Sequence, residues 1–269
     1  MALIQMNFLS NALKRTVPVT VILPVDNTAL DKTSAFPTLY LLHGLLGSHT
    51  DWVHNTRIRQ WAEARGLAVV MPSGDNSFYI DQMLPNQDYG EFIGRELVEM
   101  TRRAFPLSRD REHTFIAGLS MGGFGAIRNG LKYADTFGYI AGFSSAVHIF
   151  EMAPDAPGRT LFREDLVFGD LEEARKTDKN PRIALLRAKG IQPELPKLYM
   201  SCGLQDSLLE SNRALRDFFL ENGVSLTYRE AKGKHDWDFW NDQIQALLDW
   251  LPLPEPSAGL SSGNVSATK

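Results

Sequence analysis

Five short runs in this chain are mainly apolar without the alternation of a half-buried strand: PTLYLL (37–42), LAVVMP (67–72), TFIAGL (114–119), YIAGFSS (139–145) and KLYMSC (197–202). A strand of that kind has no face to turn to water, so both faces must be covered, and helices are the usual cover. Segments of helical period alternate with the later runs. Ile93, Leu97, Met100 and Ala104 share one helix face, and Trp237, Trp240, Ile244, Leu247, Leu248 and Leu251 share another near the C-terminus. Two earlier runs, ALIQMNF at the start and VPVTVIL (17–23), have no helix-period segment between them, and SLTYREA (225–231) follows the rest. The pattern predicts an α/β fold: an antiparallel start feeding a mostly parallel central sheet of about eight strands, with helices on both faces.

Two segments break the rhythm. Residues 73–88, SGDNSFYIDQMLPNQD, are polar and punctuated by Gly and Pro, with aromatics in the middle, and read as a long loop. Residues 145–196 are too long for one crossover helix and carry several prolines, so they read as an insertion after the sixth strand. The organisation expected is one domain over residues 1–252 with that insertion inside it. The tail, 253–269, has the composition of a disordered terminus and holds an Asn264-Val265-Ser266 sequon.

Composition excludes several roles. Lys and Arg total 28 against 32 Asp and Glu, without a basic stripe, which argues against nucleic-acid binding. One cysteine, Cys202, cannot form an intramolecular disulfide or a structural metal site by itself. No apolar run approaches the roughly 18–20 residues of a membrane span. The N-terminus lacks a basic segment followed by a continuous apolar one, so the expectation is a cytoplasmic protein.

The chemistry centres on TFIAGLSMGGFGAIRNGL (114–131). Gly118-Leu119-Ser120-Met121-Gly122 fits G-x-S-x-G, and it falls where that pattern has a mechanism, between a strand and a helix. A sharp turn there exposes the serine Oγ, and side chains two positions either side would collide with neighbouring backbone. The competing reading is a strand handing over to a helix through glycines that pack well. A nucleophile also needs a base, an acid and an oxyanion hole. In α/β hydrolases the acid and then the histidine follow the serine in sequence. Of the two histidines after Ser120, His148 has only Asp135 before it, near the end of the nucleophile helix. His235 lies past the last strand and just before the last helix, where a loop can carry an imidazole over the sheet edge. Asp236 beside it is the natural helix cap. For the acid, Asp206 ends a strand, whereas Asp165, Asp170 and Asp178 lie inside the insertion. Ser207 with Glu210 would make a capping box of their own, leaving Asp206 for His235. The oxyanion donors expected are the N–H of Met121 and, from the loop LLHGLLGSHTDW, that of Leu45.

These four stretches, LLHGLLGSHTDW, FIAGLSMGGFGA, CGLQDSLLESN and GKHDWDFW, resemble the esterase D/tributyrin-esterase branch of the α/β-hydrolase fold, with S-formylglutathione hydrolases as neighbours. The resemblance runs from about residue 3 to 251 and is weakest in the insertion. It implies Ser120, Asp206 and His235 as triad, Leu45 and Met121 as oxyanion donors, and a homo-oligomer. The mechanism expected is two-step acyl transfer to water on a small ester, without metal or organic cofactor. His43, Gly44, Trp52, Phe78, Tyr79 and Trp237 are the candidates for a partly apolar substrate pocket. No long apolar lid of the lipase kind is present, which favours short acyl chains, acetyl to butyryl, on small alcohols, aryl alcohols or sugars. An S-formylglutathione thioesterase is the nearest rival. A peptidase, an acyltransferase or a non-catalytic binding protein on the same scaffold are the others.

Overall fold

All eight apolar runs are strands of one sheet: β1 (Ala2–Ser10), β2 (Arg15–Leu23), β3 (Thr38–Leu42), β4 (Ala68–Pro72), β5 (Thr114–Leu119), β6 (Tyr139–Phe143), β7 (Lys197–Gly203) and β8 (Leu226–Ala231). The structure, a computed structural model, describes residues 1–25, 35–152 and 164–256. Part of the expected insertion (153–163) and most of the expected tail with its sequon (257–269) lie outside the described residues. Strand order is β1-β2-β4-β3-β5-β6-β7-β8. β1 pairs antiparallel with β2, and β2 antiparallel with β4. Every pair from β4 to β8 is parallel. The antiparallel start and the parallel remainder follow the sequence pattern.

The helices are α1 (Asp51–Asn55), α2 (Ile58–Ala64), α3 (Tyr89–Glu91), α4 (Leu97–Ala104), α5 (Met121–Lys132), α6 (Glu164–Val167), α7 (Leu171–Ala174), α8 (Pro181–Ile191), α9 (Leu209–Glu221) and α10 (Trp237–Trp250). Successive side chains of a strand point to opposite faces, and here each face has its own core. Tyr40 and Leu42 of β3, Val70 of β4 and Ile116 of β5 pack with α4, α5 and α8. Leu39, Leu41, Val69, Phe115 and Ala117 pack on the other side with α2 and α10. Both sets are buried, which is why these strands show no alternation. No helix among the described residues is long and apolar enough to cross a membrane.

The first expected helix face needs correction. Ile93 and Leu97 are buried, but Ala104 is exposed, and the buried face runs Phe92, Ile93, Leu97, Val98, Thr101. A π-helical turn at Phe92–Glu96 joins α3 to α4, and its wider turn shifts the phase of everything after it. The described part of the insertion is largely helical. It is held to α5 by Arg128, whose Nε donates to Asp178 O at 3.1 Å and whose guanidinium pairs with Asp178 Oδ2 at 3.2 Å. Phe150 and Phe168 from this segment join Phe78 and Phe124 in one aromatic cluster, with centroids 5.1 to 6.2 Å apart.

Candidate active site

At the C-terminal end of β5 the chain turns straight into α5 through Ser120, which has φ 53° and ψ −117°. That region is sparsely populated for a residue with a β-carbon and costs of order 1–3 kcal/mol. The turn is held by Ser120 N–H donating to Phe143 O at 2.9 Å and by Ala146 N–H donating to Ser120 O at 3.0 Å. The flanking glycines are a steric requirement. A β-carbon at Gly118 would stand 2.4 Å from Gly122 C and O, and one at Gly122 would stand 2.5 Å from Leu42 O and His43 O.

His235 comes to Ser120 from the loop between β8 and α10. Its Nε2 lies 3.0 Å from Ser120 Oγ and its Nδ1 lies 2.9 Å from Asp206 Oδ2. An ionised carboxylate only accepts, so Nδ1 carries the proton and Nε2 is left to accept from the serine hydroxyl. Asp236 caps α10 with its side chain, accepting from Phe239 N at 3.1 Å, so His235 is not drawn into capping. About a third of the His235 side chain is exposed, whereas that of Asp206 is fully buried.

Asp206 follows the end of β7. The capping box expected at Ser207 and Glu210 does not form: α9 starts at Leu209 and Glu210 pairs with Arg213. Asp206 instead holds the turn before α9, its Oδ1 accepting from Leu208 N–H at 2.8 Å while Oδ2 faces His235. Burial pushes this carboxyl up, but hydrogen bonds from His235, from Leu208 N–H and from Ser144 outweigh it and hold it below the usual carboxylate value. Cys202 lies nearby on β7 and is fully buried; burial pushes its thiol up to about 12, which keeps it protonated and unreactive.

Leu45 lines the cleft over Ser120, and Met121 follows Ser120 directly in the chain. Met121 is the first residue of α5, so its N–H has no acceptor inside the helix. Among the described residues neither this N–H nor that of Leu45 is hydrogen-bonded to another protein group. The Leu45 loop is shaped by buried His43, whose Nδ1–H donates to Gly44 O at 2.7 Å while Nε2 accepts from Gly74 N–H at 2.9 Å. Burial pushes the His43 imidazole down, so it stays neutral and can hold both bonds. Leu46 follows with φ 61°, its N–H donating to Asn76 Oδ1 at 2.8 Å.

A cleft of about 440 Å³ opens over Ser120, lined by Gly44, Leu45, Leu46, Gly47, Asp51, Leu119, His235, Trp237 and Trp240. Of the expected pocket residues Gly44 and Trp237 line it. The other four do not. His43 lies beneath the loop, and Trp52, 1% exposed, donates from Nε1 to Leu42 O at 3.0 Å. Phe78 belongs to the aromatic cluster on α5. Tyr79 is fully buried between Gly74 and Gly125, where it donates to His43 O at 3.0 Å. Leu46, Gly47, Asp51, Leu119 and Trp240 line it without having been expected from the sequence. Trp240 follows Trp237 by three residues on α10, a spacing that puts both on one helix face. A second cavity of about 280 Å³, between Lys132, Asp178 and Arg187, shares no residue with this cleft.

A doubly covered, mostly parallel sheet, with a strained serine at the end of its fifth strand, has the α/β-hydrolase fold. The chain matches the Esterase family ("Putative esterase") over residues 10–251 and belongs to it, which makes it a carboxylic ester hydrolase. It is 40% identical over 265 residues to an acetyl esterase of Caldicellulosiruptor saccharolyticus, covering 93% of this chain and 98% of the relative. Among solved structures it is similar to an S-formylglutathione hydrolase of Staphylococcus aureus (30% identity, TM-score 0.81, 93% and 98% of the two chains). A fluorophosphonate-binding serine hydrolase of the same organism, solved with substrate bound, is similar at 29% identity and TM-score 0.83, again over 93% and 98%.

Proposed function

We propose that this protein is a serine carboxylesterase acting on short-chain acyl esters, acetyl to butyryl, through an acyl-enzyme. The observation that carries the reading is the unbroken line Asp206–His235–Ser120, at 2.9 and 3.0 Å, ending at a hydroxyl that lines an open cleft. His235 Nε2 takes the Ser120 proton as Oγ attacks the ester carbonyl. The Leu45 and Met121 N–H groups receive the oxyanion, and Asp206 fixes the tautomer and stabilises the imidazolium. His235 then returns the proton to the leaving alcohol, and a water activated the same way releases the acid.

The short-chain preference is supported by the cleft's modest volume and by the resemblance to a protein named acetyl esterase. A chain-length series of p-nitrophenyl esters tests it: kcat/KM should peak between acetate and butyrate and fall by octanoate. A maximum at long chains would refute the substrate class and leave the mechanism standing. The similarity to an S-formylglutathione hydrolase favours one second reading, a thioesterase of that kind, and a glutathione thioester assayed beside the acetate ester decides between them. The homo-oligomer implied by the family resemblance is tested by size exclusion with light scattering, where a monomer mass would remove it.

A further inference from the structure

The turn that leaves β6 carries a second left-handed serine. Ser144 has φ 46° and is fully buried, and its N–H donates to Ser201 O on β7 at 2.8 Å. Glycine would take this backbone conformation without strain. A β-carbon kept there is held by its surroundings, and such outliers gather at functional sites. The Ser144 side chain sits at the centre of the acid–base pair. Its Oγ accepts from Trp240 Nε1–H at 3.3 Å and faces both the Asp206 carboxylate and the Cys202 thiol. With an N–H pointing into the oxygen, the hydroxyl proton is left for one of these two, and the carboxylate, as the charged acceptor, takes it ahead of the neutral thiol. The Trp240 ring in turn stands edge-on to His235, centroids 4.9 Å apart at 86°. The neighbours of Ser144 grip the nucleophile: Phe143 O accepts from Ser120 N–H, and Ala146 N–H donates to Ser120 O. One short turn therefore touches the serine, the acid and the wall behind the histidine.

We infer that Ser144 is a positioning residue for the Ser120–His235–Asp206 line, its hydroxyl donating to Asp206 and tying the acid, through Trp240, to the helix that carries the wall of His235. The inference rests on the esterase reading above. Asp206 is faced by His235 from the loop before α10, by Cys202 from β7, and by His148 from the turn after β6, and it also accepts from Leu208 N–H and Ser144. Of these, Ser144 is the neutral side-chain donor to the carboxylate. Removing it destabilises the anion, so the Asp206–His235 pair as a unit holds a proton more tightly. The acidic limb of the pH–rate profile must then move to higher pH.

The test is kcat and KM against pH, with p-nitrophenyl acetate, for wild type, Ser144→Ala, Ser144→Gly and Trp240→Phe. Ser144→Gly relieves the backbone while removing the hydroxyl; Trp240→Phe keeps a ring against His235 while removing the N–H. If Ser144→Ala fails to fold, these two carry the test. The expected result is a kcat loss of roughly tenfold for the Ser144 variants, KM within about twofold, and an acidic limb displaced upward by about 0.5–1 pH unit. Trp240→Phe gives a smaller shift in the same direction. A folded Ser144→Gly with wild-type kcat and an unmoved limb overturns the inference. Ser120→Ala, run in parallel, separates the levels: if it is inactive while the Ser144 variants behave as wild type, the positioning role alone fails; if it keeps its turnover, the esterase reading fails and takes this inference with it.

Discussion

At Gly122 the first turn of α5 crosses the end of β3, and a β-carbon there would meet Leu42 O and His43 O at 2.5 Å and Leu42 C at 2.8 Å. All three are backbone atoms of a central strand and the residue that follows it, so no side chain can swing away. A comfortable carbon–oxygen contact needs about 3.3 Å, so in Gly122→Ala the start of α5 must retreat by about 0.8 Å. The fold feels this mildly: overpacking costs about 1–3 kcal/mol, and exchanging glycine for alanine in a helix returns up to about 1 kcal/mol. Catalysis feels it more, because Met121 N–H moves with the helix. An oxyanion donor is worth on the order of 3 kcal/mol, and a displacement near 1 Å can cost about a hundredfold in rate. Gly122→Ala should therefore lower kcat on p-nitrophenyl acetate by roughly 30–100-fold, with Tm down by only a few degrees, read by calorimetry on the same preparation. A folded variant with kcat within twofold of wild type would refute the reasoning, since Met121 N–H would then be irrelevant to the oxyanion.

Further predictions concern the acid, the insertion clamp and a control. Asp206→Asn should cost kcat about 10³–10⁴-fold with KM little changed, because the amide favours the wrong His235 tautomer; a loss under tenfold would point to another acid. Asp178→Ala takes the paired carboxylate from the Arg128 guanidinium, whose side chain is 2% exposed and which keeps Asp178 O and Asn129 Oδ1 as acceptors, and should destabilise by about 2–3 kcal/mol in urea titrations. Burial pushes the carboxyls of Asp81 and Asp178 up, but Lys132 and Arg128 outweigh it and hold both below 3.8. Their contribution is therefore complete above about pH 4 and is lost as pH falls through the lowered values. Stability should fall below pH 4 in wild type and fall less steeply in Asp178→Ala. Gly190→Ala places a β-carbon with nothing within 4 Å, and it should raise stability by up to about 1 kcal/mol without touching kcat; a loss of either would contradict the packing described for α8.

The strands were legible because burial on both faces leaves a mark in sequence, runs such as TLYLL and TFIAGL with no alternation of apolar and polar positions. Ser120 was legible because its turn requires glycines at 118 and 122, and residue order then favoured His235 over His148. What stayed hidden depends on contacts distant in sequence. Nothing in SGDNSFYID announces that Tyr79 is enclosed by Gly74 and by Gly125 of α5, so a buried ring read as a pocket wall. The π turn at Phe92–Glu96 has no composition signal, and it displaced the predicted face of α4. The Ser207–Glu210 spacing suggested a cap that does not form: α9 begins at Leu209 without a side-chain cap, and Asp206 holds the turn before it through Leu208 N–H. Ser144 was invisible because its partners, Trp240 and Asp206, are 96 and 62 residues away along the chain.

The central claim is that Ser120 is the nucleophile, and intact mass after exposure to a fluorophosphonate tests it most directly. Wild type should gain one phosphonyl adduct and lose p-nitrophenyl acetate turnover in step with labelling, while Ser120→Ala should gain none and turn over no ester above background. An adduct on Ser120→Ala, or retained turnover in that variant, would contradict the account.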